Sequence, residues 1–383
     1  MSRPPRILLS AGEASGDRLG AGLARALRRL RPDVELSGMG GSEMAEAGVR
    51  LVQDASEVAV VGVLEVLSRL PQLRAAMARL TSALDAGPDL LVPIDFPDFN
   101  LRLAGEAARR GVPVVYFVSP QVWAWRRGRV RGIRRRVARM LVLFPFEVPF
   151  YAQAGVPVTF VGHPMAGTPE VGAEVTRALA ERLGLSPAAR RLILLPGSRP
   201  GEVARLLPRM LAAAGELRRT RPDLEVLLPL AQGLDAGEIT RQVAASEVPA
   251  TRVHRGDYPA VLTLGTAGIA ASGTATLDAA LAGLPVAVVY AVQPLTYLLG
   301  RLLVRVDHIA LPNLVLGRRL LPELVQGAFT PAAAAGAVAP WLDAPPAREE
   351  VRAGLREVRA RLGESGALDR AAAAILGELP ATN

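Results

Sequence analysis

Short apolar segments alternate with longer segments of helical periodicity along almost the whole chain. Apolar runs such as RILLSAG, VPVVYFV and RLILLPGS are separated by stretches in which apolar residues recur every three or four positions. Strands joined through helices of this length predict right-handed β-α-β units and parallel sheets with helices on both faces. The pattern therefore predicts an α/β protein.

The predicted strands form two series, and a proline-containing segment of small residues, MAGTPEVG at 165–172, lies between them. We predict two Rossmann-like, doubly wound domains over residues 1–168 and 169–345, followed by C-terminal helices over 346–383. Open parallel sheets bind ligands beyond the carboxyl ends of their strands. We therefore expect the functional site in a cleft between the two domains.

The segment LLVPIDFPDFNLRLA begins as a buried strand and then places Asp95, Asp98 and Asn100 within six residues. Alternative roles are an N-cap for Asp98 and a hydrogen bond within the turn for Asn100. Neither role suits Asp95, which makes it the candidate for a general base. If Phe96 and Phe99 enclose this carboxylate, desolvation raises its pKa and its basicity.

A glycine-rich turn, AGEASGD, follows the first predicted strand, with a helix expected from about Asp17. A helix N-terminus suits an anion or polar sugar groups because its N–H groups are unpaired. The alternative for Ser15 and Asp17 is simple helix capping. Capping does not explain Glu13, which we interpret as a functional carboxylate at a strand end.

Two similar turns occur in the second series. Arg199 lies in LLPGSRPGE, where a guanidinium is suited to clamp a diphosphate with two parallel hydrogen bonds. In SGTATLD, residues 272–274 (Ser272, Gly273 and Thr274) offer hydroxyl and N–H groups at a helix start, and Asp278 follows one turn later, near where a ribose would lie. Each turn alone is a weak signal, but together they indicate a nucleotide diphosphate.

Composition narrows the chemistry. The 383 residues include no cysteine and no lysine, so thiolate nucleophiles, a P-loop lysine and Schiff-base chemistry are excluded. With three histidines, a His-rich metal site is not expected either. The net charge of +9 indicates an anionic partner. The N-terminal apolar run is too short for a signal peptide, and we expect a cytoplasmic body.

The segment from residue 119 to 139, SPQVWAWRRGRVRGIRRRVAR, combines two tryptophans with eight arginines. Its arginines lie on all sides of any helix, and no nucleic-acid module surrounds them, so we do not expect nucleic acid as a partner. The apolar helix expected over 64–84 has two interpretations, core packing or attachment to a membrane surface, and we favour core packing.

These segments together resemble the lipid-A-disaccharide synthase family. The resemblance covers nearly the whole chain and depends on ten segments in order: AGEASGD, VVGVLEVL, IDFPDFN, SPQVWAWRRGR, PFE, FVGHPM, LLPGSR, SGTATLD, LPNLVLGR and PELVQG. It implies the GT-B fold, with two Rossmann-like domains facing a cleft. It also implies an inverting transfer from UDP-2,3-diacylglucosamine to the 6-hydroxyl of 2,3-diacylglucosamine 1-phosphate, giving a β(1→6) disaccharide 1-phosphate and UDP.

The resemblance also implies roles for individual residues. Asp95 is the expected base and Glu13 orients the substrate. The expected substrate contacts are Ser15, Asp98, Asn100 and Trp125. The expected nucleotide contacts are Arg199, Ser272, Gly273, Thr274, Asp278, Asn313 and Gln326. We expect His163 to be structural, and we expect no cofactor and no metal.

The chain departs from the family pattern at two positions. Asp278 stands where glutamate is usual, and Ala291 stands where a basic residue is common. Two alternatives remain open: another UDP-sugar enzyme of this fold, such as a glycolipid glycosyltransferase or a UDP-N-acetylglucosamine 2-epimerase, and a glycolipid-binding protein without activity. The acylated substrates imply attachment to anionic lipid at the inner face of the cytoplasmic membrane. A homodimer is among the assemblies left open.

Overall fold

A computed structural model describes residues 3–58, 70–124, 127–293, 297 and 306–380. The chain forms two compact units. Unit 1 comprises residues 1–167 and 363–383, and unit 2 comprises residues 168–362. The first division between them follows Gly167, inside the small-residue segment 165–172.

Unit 1 contains a parallel sheet. Its strands are β1 (Arg6–Ala11), β2 (Glu35–Gly40), β3 (Arg50–Asp54), β4 (Leu90–Ile94), β5 (Val115–Phe117), β6 (Arg139–Val142) and β7 (Val158–Phe160). Among the described residues the order is β3-β2-β1-β4-β5-β6-β7. Its first helices are α1 (Ala14–Leu30), α2 (Ser42–Glu46), α3 (Leu70–Asp85), α4 (Pro97–Arg109), α5 (Val130–Arg134) and α6 (Glu147–Gln153).

Unit 2 contains a second parallel sheet. Its strands are β8 (Arg191–Leu195), β9 (Glu225–Leu230), β10 (Arg252–Arg255), β11 (Ala267–Ala271), β12 (Val286–Tyr290) and β13 (Glu323–Val325). Their order in the described chain is β10-β9-β8-β11-β12-β13. The helices are α7 (Ala173–Arg182), α8 (Pro200–Thr220), α9 (Ala236–Ala244), α10 (Tyr258–Leu264), α11 (Thr274–Leu281), α12 (Leu311–Leu316), α13 (Pro331–Asp343) and α14 (Pro345–Arg361).

Short 3₁₀ turns complete the described secondary structure, at Ala55–Glu57, Gln121–Trp123, Arg127–Arg129, Pro164–Gly167 and Gln326–Ala328.

The strands are apolar because helices cover both faces of each sheet. In unit 1, all five residues of β4 are buried. Successive residues of β1 face opposite sides: Ile7 and Leu9 join one core cluster with residues of α1, and Leu8 joins the other with residues of α3. Both sheets have the doubly wound α/β architecture that was predicted.

The order of strands reverses once in each sheet. In unit 1 the reversal lies between β1 and β4, and in unit 2 it lies between β8 and β11. The loops after such a pair leave the sheet towards opposite faces and open a crevice, which is where doubly wound sheets bind ligands. The two reversals therefore mark the expected site in each unit.

The C-terminal helices do not form the separate segment predicted for 346–383. Helix α14 belongs to unit 2, and the last helix, α15 (Ala367–Leu376), belongs to unit 1. Ala371, Ala372 and Ile375 are buried in the same core cluster as α1. Gly22 permits this contact, because a Cβ atom there would lie 2.5 Å from Leu368 Cδ1.

The described part of helix α3 covers Leu70–Asp85 and includes Pro71, and the earlier part of the expected helix, residues 64–69, lies outside the described residues. Ala76, Leu80 and Leu84 of α3 are buried against the sheet. This favours core packing for the part of the helix that is described. Within the described residues no helix has both the length and the continuous apolar character that crossing a bilayer requires.

Candidate active site

The reversal point of unit 1 brings the loop after β1 next to the loop after β4. Ala11 and Ile94 are paired at the ends of these strands. Phe96 follows Asp95 and places its ring over Gly12, where a Cβ atom would lie 2.2 Å from the ring. Only glycine therefore allows the two loops to approach this closely.

Asp95 stands directly after β4 in an unusual backbone conformation. Asp95 has a φ of 48° and Phe96 a φ of 50°, so two successive non-glycine residues are left-handed. The Asp95 carbonyl oxygen accepts hydrogen bonds from Tyr116 Oη at 2.7 Å and Asn100 Nδ2 at 2.8 Å. The Asp95 N–H donates to the Phe117 carbonyl at 3.1 Å. These bonds fix the backbone position from which the Asp95 carboxylate projects.

The environment of Asp95 favours its neutral form. Burial raises the pKa of its carboxyl group to about 6, and the negative charge of the exposed Glu13 adds to the effect. Phe96 is partly exposed beside Asp95, whereas Phe99 is buried in the core with its ring 5.5 Å from that of Phe96. Phe99 is thus a core residue, and the enclosure of Asp95 by the two rings stays a prediction.

Asn100 has a role different from the predicted substrate contact. It is completely buried, and its Nδ2 also donates to the carbonyl oxygens of Ser10 at 3.0 Å and Ile94 at 3.3 Å. Its Oδ1 accepts from Ser10 Oγ at 2.7 Å. This correction follows from the geometry: the amide joins the ends of β1 and β4 and has no surface left for a substrate.

Helix α1 begins at Ala14, three residues before the predicted start. Glu13 occupies the N-cap position without a side-chain cap bond, and Ser15 is exposed in the first turn. Asp17 does not cap α1. Its carboxylate instead accepts hydrogen bonds from the N–H groups of Gly41, Glu43 and Met44 at 2.7–3.1 Å, at the start of α2. Glu13 and Ser15 thus remain available to a ligand.

Asp98 lies in the first turn of α4 and is not its N-cap, which is Phe96. Its exposed carboxylate forms an ion pair with Arg129 at 2.7 Å. Another arginine of the same segment, Arg136, donates a hydrogen bond to the Leu101 carbonyl. Trp125 lies outside the described residues.

Two further features of unit 1 contribute to this edge of the sheet. Glu147 is buried and accepts hydrogen bonds from Ser119 Oγ and, at 3.1 Å, from the Phe144 N–H. Burial raises the pKa of its carboxyl group to about 7.

His163 packs against the Phe144 ring, with a centroid distance of 5.2 Å, and its Nδ1 accepts a hydrogen bond from the Met165 N–H. Burial lowers the pKa of the imidazole to about 4. His163 is therefore a structural, neutral residue.

In unit 2 the loops after β8 and β11 meet at the second reversal point. Arg199 is exposed and occupies the N-cap position of α8. Gly197 has a φ of 105°, and a Cβ atom there would lie 2.1 Å from Glu202 Oε2. Burial raises the pKa of Glu202, and the positive charge of Arg199 opposes that shift. Arg199 thus presents an unburied guanidinium beside the turn.

The turn after β11 leaves a helix start open to solvent. Gly273, with a φ of 147°, is the N-cap of α11, and both it and Thr274 are exposed. Ser272 Oγ donates to the Ile309 carbonyl at 2.9 Å, which fixes the turn. The exposed N–H groups of this helix start, which carry partial positive charge, are suited to a phosphate.

Asp278 lies one turn into α11 and is half-buried. Burial raises the pKa of its carboxyl group to about 6, and a hydrogen bond with the Tyr258 hydroxyl opposes the shift. Tyr258 is the first residue of α10. The Asp278 carboxylate is therefore held by a neighbouring tyrosine.

Asn313 also has a role different from the predicted nucleotide contact. It is completely buried, its Nδ2 donates to Glu323 Oε1 and the Leu321 carbonyl, both at 2.8 Å, and its Oδ1 accepts from the N–H groups of Leu320 and Leu321. The amide closes the loop between α12 and β13. The prediction that Asn313 contacts the nucleotide directly is therefore wrong.

Gln326 is paired with the backbone of Val292: its Oε1 accepts from the Val292 N–H at 3.1 Å, and its Nε2 donates to the Val292 carbonyl at 2.8 Å. Gln326 lines a cavity of about 520 Å³ together with Ala291, Arg205 and Arg209. Two guanidinium groups therefore line the same cavity as Ala291.

Three residues of this site had not been identified from the sequence. Tyr116 and Ser10 support Asp95 and Asn100, and Tyr258 supports Asp278. The only available signal for Tyr116 is a hydroxyl group in an otherwise apolar strand, and Ser10 has the same signal in β1.

A comparison with protein-family models matches residues 7–374 to the model described as lipid-A-disaccharide synthetase. The chain belongs to the lipid-A-disaccharide synthase family. It is therefore a glycosyltransferase of lipid A biosynthesis. A lipid-A-disaccharide synthase from Myxococcus xanthus is 48% identical over 382 residues, which cover 99% of each chain.

Solved structures share the fold at low sequence identity. The calicheamicin glycosyltransferase CalG4 matches with a TM-score of 0.60 and 19% identity, covering 99% of this chain and all of the other. The UDP-GlcNAc 2-epimerase from Neisseria meningitidis, bound to UDP-GlcNAc, matches with a TM-score of 0.61 and 10% identity, covering 97% and 98%. These similarities show the GT-B fold alone. The type of reaction is indicated by membership of the synthase family.

Proposed function

We propose that this synthase transfers the sugar of UDP-2,3-diacylglucosamine to the 6-hydroxyl of 2,3-diacylglucosamine 1-phosphate, giving the β(1→6) disaccharide 1-phosphate and UDP. Membership of the family supports the reaction. The observation that supports the mechanism is the carboxylate of Asp95, which the hydrogen bonds to its backbone hold at the strand-reversal point of unit 1.

Asp95 acts as the general base. Its carboxylate takes the proton from the 6-hydroxyl as that oxygen forms a bond to the anomeric carbon. The bond from this carbon to the UDP oxygen breaks on the opposite face, UDP leaves with the electron pair, and the configuration inverts. A pKa of about 6 leaves Asp95 ionised near neutral pH and more basic than an ordinary aspartate.

Unit 2 binds the nucleotide diphosphate. Arg199 and the open helix start at Gly273 and Thr274 offset the negative charge that develops on the leaving group. The carboxylate of Asp278, held by Tyr258, accepts a hydrogen bond from a ribose hydroxyl. In unit 1 the exposed Glu13 orients a substrate hydroxyl or amide group. We propose that the transfer requires no metal cofactor.

The experiment is product analysis with the purified protein, the UDP-sugar and the acylated acceptor. Asp95→Asn preserves shape and removes the base, so turnover should fall about 10²-fold or more while UDP affinity stays within twofold. Arg199→Ala is the complementary variant: it should weaken UDP binding by roughly tenfold because a charge-assisted contact is lost. Near-wild-type turnover in Asp95→Asn would refute the assignment of the base.

The acylated substrates also imply a location. We propose that the enzyme attaches reversibly to the inner face of the cytoplasmic membrane. The supporting features are the net charge of +9 and the exposed arginines of the segment after β5, among them Arg131, Arg134 and Arg135. Attraction to anionic lipid contributes roughly 1 kcal/mol for each basic residue near the surface.

A further inference from the structure

A second polar cavity lies in unit 1, at the edge of the sheet opposite Asp95. Its volume is about 840 Å³. Arg6, Glu35 and Arg50 are the first residues of β1, β2 and β3, and all three line it. Because the strands are parallel, their first residues share one edge, and Asp95, which follows a strand end, belongs to the other.

Four arginines line this cavity, which we call the arginine cavity: Arg6, Arg28, Arg50 and Arg79. Glu35 is the carboxylate in the same lining. Arg79 is engaged with Gln53 Oε1 at 2.6 Å and Glu57 at 3.2 Å. Within the lining, four arginines therefore face one carboxylate, while outside it Glu57 pairs with Arg79 and Asp89 accepts a hydrogen bond from the Arg6 backbone N–H at 2.8 Å.

Two of these arginines have unused donors. Arg6 Nη2 donates to the Gly87 carbonyl, but Arg6 Nε is buried with no hydrogen-bond partner in the described structure. The guanidinium of Arg50 is exposed and forms no hydrogen bond or ion pair with any described residue, so its donors are open to solvent or to a ligand. For the buried Arg6 Nε, the lack of a partner costs about 1–3 kcal/mol, and more because it belongs to a charged group, unless a ligand or solvent satisfies it.

Helix ends explain part of this arrangement. Helices α1 and α3 both end beside the cavity, and the partial negative charge at a helix C-terminus stabilises a nearby cation such as Arg28. Arg28 also donates to the Gly48 carbonyl at 2.7 Å. Arg6 and Arg50, however, belong to strands, so helix ends do not account for the unused donors.

We propose that the arginine cavity binds a phosphate-bearing anion, either free or as the headgroup of a lipid. Guanidinium groups bind phosphate through paired, charge-assisted hydrogen bonds, and two of them with unused donors converge here. This site is separate from the nucleotide site of unit 2.

The test is a binding measurement on the full chain. Inorganic phosphate is titrated calorimetrically with UDP in excess, so that the UDP site is filled. The wild type should bind phosphate, and Arg50→Gln should bind about tenfold more weakly because one charge-assisted contact is lost. Arg25→Gln is the matched control: it removes one charge from an exposed position of α1 outside the cavity and should bind like the wild type.

A second arm identifies the source of the phosphate. Flotation is compared for phosphatidylcholine vesicles with and without phosphatidylglycerol. Weaker flotation of Arg50→Gln than of Arg25→Gln with the anionic vesicles supports a lipid headgroup, and a difference confined to the titration supports a free phosphate. The proposal is overturned if the two variants behave alike in both arms or if the wild type binds neither ligand. Turnover is measured separately, so this result does not depend on the role of Asp95.

Discussion

The backbone at Asp95 is strained, and hydrogen bonds hold it in place. Each non-glycine residue held in the left-handed region costs roughly 1–3 kcal/mol, and Asp95 and Phe96 are both held there. The cost is offset by hydrogen bonds to the Asp95 carbonyl from Tyr116 and Asn100. Strain of this kind persists where surrounding contacts fix the geometry, as they do at the end of β4.

Tyr116→Phe tests this support. The variant should lose about 1 kcal/mol of stability, the usual value of one hydrogen bond. Turnover should fall roughly fivefold to tenfold because the base is held less firmly, while UDP affinity is unchanged. The check is kcat and KM together with a UDP titration.

Tyr151→Phe is the control for this variant, because the Tyr151 hydroxyl also donates to a carbonyl of unit 1, that of Pro120, at 3.2 Å. An equal loss of turnover in both variants would contradict the role of Tyr116.

The raised pKa of Asp95 predicts a pH dependence. A base must be ionised, so kcat at saturating substrate should be near its maximum above about pH 7, about half of it near pH 6, and fall further as the pH drops below 6. Saturation matters because Asp278 titrates in the same range and would act on UDP affinity. Asp95→Asn should lack this break, and a break that survives in the variant would assign it to another group.

The raised pKa of Asp95 also affects folding stability, with a pH dependence opposite to that of turnover. The folded state holds the Asp95 proton more tightly than the unfolded state, in which the pKa is near 3.8. The stabilisation from this group is therefore full below about pH 4 and is lost as the pH rises through about 6.

The strand-end positions predicted for two carboxylates agree with the structure, whereas the ligand contacts predicted for two buried amides do not. Asp95 and Glu13 were placed at strand ends, and the structure brings them within electrostatic range. Asn100 and Asn313 carry side chains that bond equally well to a ligand or to backbone carbonyls, and only the folded chain shows that carbonyls are their partners.

At the scale of elements, strands were predictable because both faces of each sheet are covered and the strands are uniformly apolar. Helix starts were less predictable. Asp17 does not cap α1, because its carboxylate accepts hydrogen bonds at the start of α2, which lies more than twenty residues later in the chain. A contact of this kind leaves no local pattern.

Helix α15 should contribute measurably to the stability of unit 1. Ile375 is completely buried against the α1 side of the sheet, so Ile375→Ala should lower the free energy of unfolding by about 2–5 kcal/mol. Leu30→Ala is the control, because Leu30 is 49% exposed and should change stability by less than about 0.5 kcal/mol. Denaturant unfolding measures both, and equal effects would show that α15 is not part of this core.

At the scale of the whole molecule, the net charge of +9 predicts electrostatic attraction to anionic membranes. Flotation with vesicles containing phosphatidylglycerol should occur at low salt and be lost near 1 M salt, where the screening length is about 3 Å. Vesicles of phosphatidylcholine alone should not capture the protein. Capture that is insensitive to salt would indicate apolar insertion instead, and no capture at low salt would refute the proposed attachment.

Unit 2 is one uninterrupted stretch of chain, whereas unit 1 is assembled from both ends. During translation, residues 168–362 are complete before the final helix leaves the ribosome. The α1 surface of unit 1, the unit that carries Asp95, is therefore not covered by α15 until nearly two hundred further residues have been synthesised. A nascent chain arrested before residue 363 would therefore expose an apolar surface to chaperones, however well its second half had folded.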